Sequence, residues 1–201
     1  MILQVEGIQK NYQKPLFSPV SFILDKGEGL AISGHNGSGK TTLLDMIAGL
    51  CKPSAGVCRR HTKLGYVMNL PGFQESLSCY DNLMTEAYLC GLKQSAAKEQ
   101  VLACMAQCDM LSYAHQKYKK CSAGMKARVS IAAALLGDPG LLLLDEAFNA
   151  LDIETVNFVK TLLLKRKAIG TSIIMISHNR TDFDGLCERL LLLPDAEMRS
   201  L

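Results

Sequence analysis

The stretch GHNGSGKT, Gly34 to Thr41, narrows most sharply what this chain can fold into. It follows the apolar run LAIS and opens an apolar helix pattern, so the local order is strand, glycine-rich turn, helix. Gly34, Gly37 and Gly39 let the backbone curl until its N–H groups converge, a geometry that a Cβ would obstruct. The implied ligand is the phosphate chain of a nucleotide, because converging amides and a helix N-terminus both favour an anion. His35, Asn36 and Ser38 complete the cradle, Lys40 brings a positive charge to the β- and γ-phosphates, Thr41 supplies a hydroxyl to Mg²⁺, and Thr42 continues the helix.

A hard cation needs acidic help, and LLLLDE, Leu141 to Glu146, supplies it. A continuous apolar run ending in two carboxylates is the pattern of a strand buried on both faces that delivers acids to the ligand-binding end of a parallel sheet. Asp145 fits the Mg²⁺-holding role, directly or through water, and Glu146 can orient or deprotonate the water that attacks the γ-phosphate. A third segment, CSAGMKARVS from Cys121 to Ser130, reads as a helix start and hence as a second anion site far from the first in sequence.

Periodicity orders the remainder. An opening strand lies in MILQVEGIQK. A strand at Leu30 to Ser33 is followed by a helix from about Lys40 to Leu50, and Pro53 and Gly56 then act as breakers. LGYVM reads as a strand, and from Tyr80 to about Tyr118 the pattern turns helical, in DNLMTEAYLCGL and SAAKEQVLACMAQCDML. Alternation resumes with a helix at about Ser122 to Leu136 and a strand at Leu141 to Leu144. After these come a helix at about Ile153 to Lys167 capped by Asp152, a strand at Ser172 to Ile176 and a last strand near Leu190 to Leu193. The result is a mostly parallel α/β sheet with flanking helices and a helical insertion.

Composition excludes several classes. With 201 residues, 48% apolar and 20% charged, the chain can bury a core, and its most apolar segment is broken by Asp138-Pro139-Gly140 and again by Asp145-Glu146. No run therefore reaches the roughly 18 residues of a membrane span. The mixed N-terminus suits a strand and not a secretory signal, so the cytosol is the expected compartment. Twenty-two basic against 19 acidic residues, a formal charge of +3, demand no polyanion, and the clusters CRRHTK and KYKK read as solvated faces: no nucleic-acid partner is expected. The eight cysteines read as free thiols. Cys104, Cys108 and His115 lack a fourth ligand and a CxxC pair, so a metal site is outweighed by small residues on a buried helix face.

Taken together, SAGMKARVSIAAALLGDPGLLLLDEAFNALD and the following IIMISHN resemble the nucleotide-binding subunits of ABC transporters over almost the whole chain. The resemblance makes GHNGSGKTT the Walker A loop, CSAGM the signature, LLLLDE the Walker B strand, Ala150 to Asp152 the D-loop and His178 the switch histidine; Tyr12 takes the place of the aromatic that stacks on adenine. It implies a P-loop NTPase core with a mostly parallel sheet, an N-terminal antiparallel β portion and an inserted helical subdomain. Residues 1–201 would form one domain, with about 1–70 and 131–201 as the core and about 71–130 as the helical part. It also implies ATP and Mg²⁺ as cofactors, a second ATPase subunit, and an integral membrane permease that holds the protein on the inner face of the membrane. In that arrangement two subunits pair head to tail, and the Ser122 hydroxyl and Gly124 N–H grip the partner's γ-phosphate. His178, at the end of TSIIMIS, would bond the same phosphate.

Departures from the family pattern are specific. Cys121, Ala123 and Met125 stand at the first, third and fifth signature places, and Ala147 stands where proline is common. Asn69 replaces the Q-loop glutamine that reaches nucleotide and Mg²⁺; it keeps the amide but is one methylene shorter, and Gln74 is a candidate substitute. The S-x-G-M form looks like export-associated subunits. Soluble relatives acting on ribosomes or DNA usually carry tandem units, coiled coils or zinc modules, none of which is visible. Glu146 and His178 argue against a non-hydrolysing sensor, although Asn69 leaves room for one. A GTPase reading fails for want of N-K-x-D.

Overall fold

The computed structural model describes residues 1–68, 72–149 and 151–201. Two sheets form. The smaller is antiparallel and combines β1 (Leu3–Gln9), β2 (Val20–Leu24) and β4 (Ala55–Arg60) in the order β2-β1-β4. Gly56, expected as a breaker, lies inside β4 against Gly7 where the β1–β4 register slips, so it kinks the strand without ending it.

The larger sheet has the order β5-β6-β7-β3-β8-β9. Its members are β3 (Gly29–Gly34), β5 (Leu64–Val67), β6 (Leu141–Asp145), β7 (Ser172–Ile176), β8 (Arg189–Leu193) and β9 (Glu197–Ser200). The first five strands in that order run parallel, and β9 closes the edge antiparallel to β8. The helices are α1 (Lys40–Ala48), α2 (Cys79–Leu89), α3 (Gln94–Gln107), α4 (Ala123–Ala134) and α5 (Ile153–Ala168). The expected order of strands and helices is present. α1 stops two residues earlier than expected because Gly49 takes the left-handed C-cap conformation. Asp152 caps α5 as anticipated, its carboxylate accepting from the Thr155 N–H.

Period-two alternation explains the double core. Leu142 and Leu144 of β6, with Ile173 and Met175 of β7, face the cluster built by the α2–α5 helices. Leu141, Leu143, Ile174 and Ile176 face the cluster shared with α1 and the antiparallel sheet. Each such fully buried side chain stabilises the fold by about 1.5–3 kcal/mol, and together they hold the central strands in one register. Among the described residues no helix is long and apolar enough to cross a membrane.

Cys104 and Cys108 are buried in the helical cluster, and desolvation pushes their thiols to about 11 and about 12. Neutral thiols packed among Val101 and Met105 behave as small apolar groups on a buried helix face. Among the described residues no group of His, Cys, Asp and Glu is arranged to hold a metal ion.

α4 lies against β5, and Gly65 permits that approach: a Cβ there would stand 1.9 Å from the Ala134 carbonyl oxygen. Gly65→Ala is therefore expected to push α4 off the sheet and destabilise the protein by about 1–3 kcal/mol, the range for overpacking, read as a lower urea midpoint at unchanged slope.

Candidate nucleotide site

Three strand ends build the site. β3 runs into the glycine-rich loop, β6 ends on Asp145 and Glu146, and β7, which lies between them, ends just before Ser177 and His178. Parallel pairing puts all three C-termini on one edge, where a ligand approaches the loop and not the sheet face.

The loop is closed on itself. Lys40 is only 7% exposed, and its Nζ donates to the carbonyl oxygens of Gly34 (2.9 Å) and His35 (3.0 Å), which places the ammonium group under the arch. Gly39 holds φ +92°, and a Cβ would fall 2.6 Å from the Phe17 ring, so this position demands glycine twice over. The Ser38 Oγ is buried without a hydrogen-bond partner. Such an orphaned polar atom beneath an anion cradle fits a phosphate-binding loop.

Thr41 Oγ1 donates to Asp145 Oδ2 at 2.9 Å, which sets a hydroxyl and a carboxylate side by side. These are the hard oxygen donors that suit Mg²⁺. Asp145 is 3% exposed. Desolvation raises its pKa above the ordinary carboxylate value, and Glu146 and Asp45 push the same way, against the Thr41 hydrogen bond and Lys40. Asp45 in turn accepts from the Tyr66 hydroxyl at 3.1 Å, and burial beside these carboxylates keeps that phenol protonated. Negative charge thus accumulates where a cation would relieve it.

Glu146 Oε1 lies 3.1 Å from His178 Nε2, and Glu146 Oε2 accepts from Asn149 Nδ2 at 2.6 Å. A cavity of about 640 Å³ is lined by Tyr12, Asn36, Gly37, Gly39, Lys40, Thr41, Thr42, Glu146, Asn149 and His178. Tyr12 stands at its mouth, 68% exposed, with the Lys10 ammonium 5.6 Å from its ring. His35 is exposed on the loop, its Nδ1 2.9 Å from the Asn36 carbonyl oxygen.

Ser122, Gly124 and Asp152 are gathered elsewhere. Ser122 is the exposed N-cap of α4, and its Oγ accepts from the Met125 N–H at 3.2 Å, which leaves the hydroxyl proton to donate. Gly124 is buried: a Cβ there would lie 2.7 Å from Thr155 Oγ1 and 3.6 Å from Asp152 Oδ2. The signature glycine therefore lets the first turn of α4 touch the capped start of α5. The Asp152 carboxylate, held by the Thr155 N–H and hydroxyl, titrates below its ordinary range. None of these three residues lines the large cavity.

Asn69 lies outside the described residues, as does Ala150 of the D-loop. Gln74, the candidate substitute for the Q-loop residue, is exposed and does not line the cavity; its backbone exchanges hydrogen bonds with Asn82. Sequence reasoning missed Asn149, Asp45 and Tyr66. Asp45 falls one helical turn after Thr41, and Asn149 closes a turn three residues after Glu146, but spacing alone gives neither a partner.

A closed phosphate loop, an acidic pair and a histidine on one sheet edge, with Ser122 and Gly124 of a capped helix start outside the cavity they line, define a nucleoside triphosphatase of the cassette type. Residues 17–149 match the family model described as ABC transporter, and the chain belongs to that family. It is 30% identical over 210 residues to the linearmycin resistance ATP-binding protein LnrL of Bacillus subtilis (strain 168), covering 98% of this chain and 68% of the relative. Identity is 34% over 202 residues with the taurine import ATP-binding protein TauB of Yersinia pestis bv. Antiqua (strain Antiqua), covering 96% and 79% respectively. The fold matches the dimeric cassette MJ0796, solved in a post-hydrolysis state with ADP and Pi, with a TM-score of 0.88 over 100% of this chain and 99% of that chain at 23% identity. The protein is an ATP-binding, ATP-hydrolysing ABC transporter cassette.

Asp145→Asn keeps the shape of the side chain and removes a desolvated charge. We expect a higher thermal midpoint for the nucleotide-free protein, together with a smaller additional rise on adding Mg²⁺ and ATP, both read by differential scanning calorimetry.

Proposed function

We propose that this chain powers a separate membrane permease, most simply in the export direction, by pairing head to tail with a second cassette around ATP. The observation that carries this reading is the separation of Ser122 and Gly124 from the cavity that holds the phosphate loop, Glu146 and His178. A capped helix start whose Ser122 and Gly124 do not line their own chain's phosphate cavity is suited to a nucleotide held by another. The partner is a second copy or a close relative. Export is supported by the S-x-G-M form of the signature.

In this reading Tyr12 stacks on adenine, and the loop amides of residues 34–42 and Lys40 bind the phosphates. Thr41 and Asp145 would hold Mg²⁺, with Asn69 contributing its amide; the ion would supply charge neutralisation at the β- and γ-phosphates. Glu146 orients the attacking water and accepts its proton, while His178 bonds the γ-phosphate and keeps Glu146 in place. Across the interface, the Ser122 hydroxyl and the Gly124 N–H reach the γ-phosphate, backed by the positive end of α4, while Asp152 caps α5 beside that helix start.

ADP lacks the phosphate gripped from both sides. ATP therefore favours the closed pair and hydrolysis relaxes it, so the nucleotide acts as a differential ligand for two arrangements. The helical part, about residues 71–130, sits between this grip and the permease, whereas about 1–70 and 131–201 form the nucleotide-binding core. The protein then works at the cytoplasmic face of the membrane, held there by its permease.

Ser122→Arg places a long cation where the second grip forms. The variant should bind ATP as a monomer with wild-type affinity and fail to dimerise with ATP, measured by light scattering in a Glu146→Gln background that blocks turnover. Normal dimerisation by that variant would defeat the cross-chain reading. Lys40→Ala should lose ATP binding altogether by isothermal titration. Co-purification of a polytopic membrane protein from solubilised membranes is the expected result for coupling, and a cassette that never fractionates with membranes would count against it.

A further inference from the structure

We propose that Asn149 is a positioning residue for Glu146, holding its carboxylate in the geometry that acts on the attacking water. The inference rests on the reading of Glu146 as the residue that engages that water. It concerns a residue of the D-loop approach acting within its own chain.

Glu146 leaves β6 with φ +52°, a left-handed conformation unusual for a side chain of this size. Such a residue persists only when its surroundings over-determine it. Here they do: the Glu146 N–H donates to the Ile176 carbonyl oxygen at 3.2 Å, and the Asn149 N–H donates to the Glu146 carbonyl oxygen at 3.0 Å, closing a turn. That turn brings the Asn149 amide back over the carboxylate, where Nδ2 donates to Oε2 at 2.6 Å. His178 faces the other oxygen. The two carboxylate oxygens are thus held from two separate segments, which leaves the side chain one orientation toward the phosphate cavity.

The chemistry of an amide suits this task. A lysine or arginine at 149 would neutralise the carboxylate and weaken it as a base, and an acid would repel it. An amide orients without withdrawing charge. Asn149 is also exposed, and it lines the phosphate cavity together with two neighbouring cavities, one beside Ala123 and Lys126 of α4 and one beside Ile153 and Asn157 of α5. Among the described residues its side chain hydrogen-bonds to Glu146 alone, so its removal should register in turnover and not in folding.

Steady-state phosphate release and binding of a fluorescent ATP analogue, measured on Asn149→Ala, Asn149→Ser, Asn149→Asp and Glu146→Gln beside wild type, test the proposal. Asn149→Ala should lower kcat by about 10- to 100-fold, the loss typical of a misplaced reacting group, with KM and analogue affinity unchanged. Asn149→Ser, which keeps a donor, should recover part of that loss; Asn149→Asp, which keeps the shape and reverses the interaction, should fall below Asn149→Ala. Wild-type kcat in Asn149→Ala beside an inactive Glu146→Gln would overturn the positioning role alone. Parallel losses of affinity and turnover would overturn it in favour of a structural role. Were Asn149→Ala to misfold, the isosteric Asn149→Asp decides: turnover at the wild-type level overturns the proposal. A Glu146→Gln variant that hydrolyses ATP normally would instead remove the reading on which the inference stands.

Discussion

The insertion of β7 between β3 and β6 is the constraint on which the site depends. Parallel ladders with Ile173 against Gly29 on one side and Leu142 on the other lock the heights of the three strands. Ile174 and Ile176 are buried on one face and Ile173 and Met175 on the other, so a slip of one residue would exchange two cores at once. With that register fixed, the loop after β3, the acids ending β6 and the histidine beyond β7 meet on one edge. The geometry of the candidate site is here a consequence of hydrophobic burial some residues away.

Electrostatics at that edge are deliberately unbalanced. Asp145, Glu146 and Asp45 lie near one buried lysine, and Lys40 spends its hydrogen bonds on the loop carbonyls of Gly34 and His35. Desolvation leaves Asp145 a poor place for an uncompensated charge. Glu146 is treated differently, being kept partly accessible, with Asn149 Nδ2 donating to one oxygen and His178 Nε2 lying 3.1 Å from the other. The adjacent carboxylates thus sit in different environments, because one ends a buried strand and the next begins a turn.

The signature face follows another logic. Gly124 is required where α4 meets Thr155, and Ser122 caps the same helix, so these two positions carry both packing and hydrogen-bonding demands. Around them Cys121, Ala123 and Met125 depart from the family pattern. Cys121 is buried in the helical cluster beside Cys79, with Sγ atoms 3.4 Å apart, where a small apolar residue serves as well as a larger one. Ala123 is exposed and meets no steric demand of that kind.

Local pattern alone carried the glycine-rich turn between strand and helix, the strand at Leu141 to Leu144, the helical stretch and the Asp152 cap, because each is written in glycine placement, a continuous apolar run or a 3.6-residue period within one short segment. It also carried the family, through the order of motifs. The pairing of β1 with β4, the edge strand β9 and the kink at Gly56 were not legible, since exposed strands such as AGVCRR and EMRS lack the alternation that marks a half-buried ladder. Nor could spacing reveal that Asn149 turns back on Glu146, or that Asp45 shares a hydrogen bond with Tyr66. Residue types were settled by the sequence; which of them touch was decided by the sheet, because contacts between distant segments exist only once buried strands choose their neighbours.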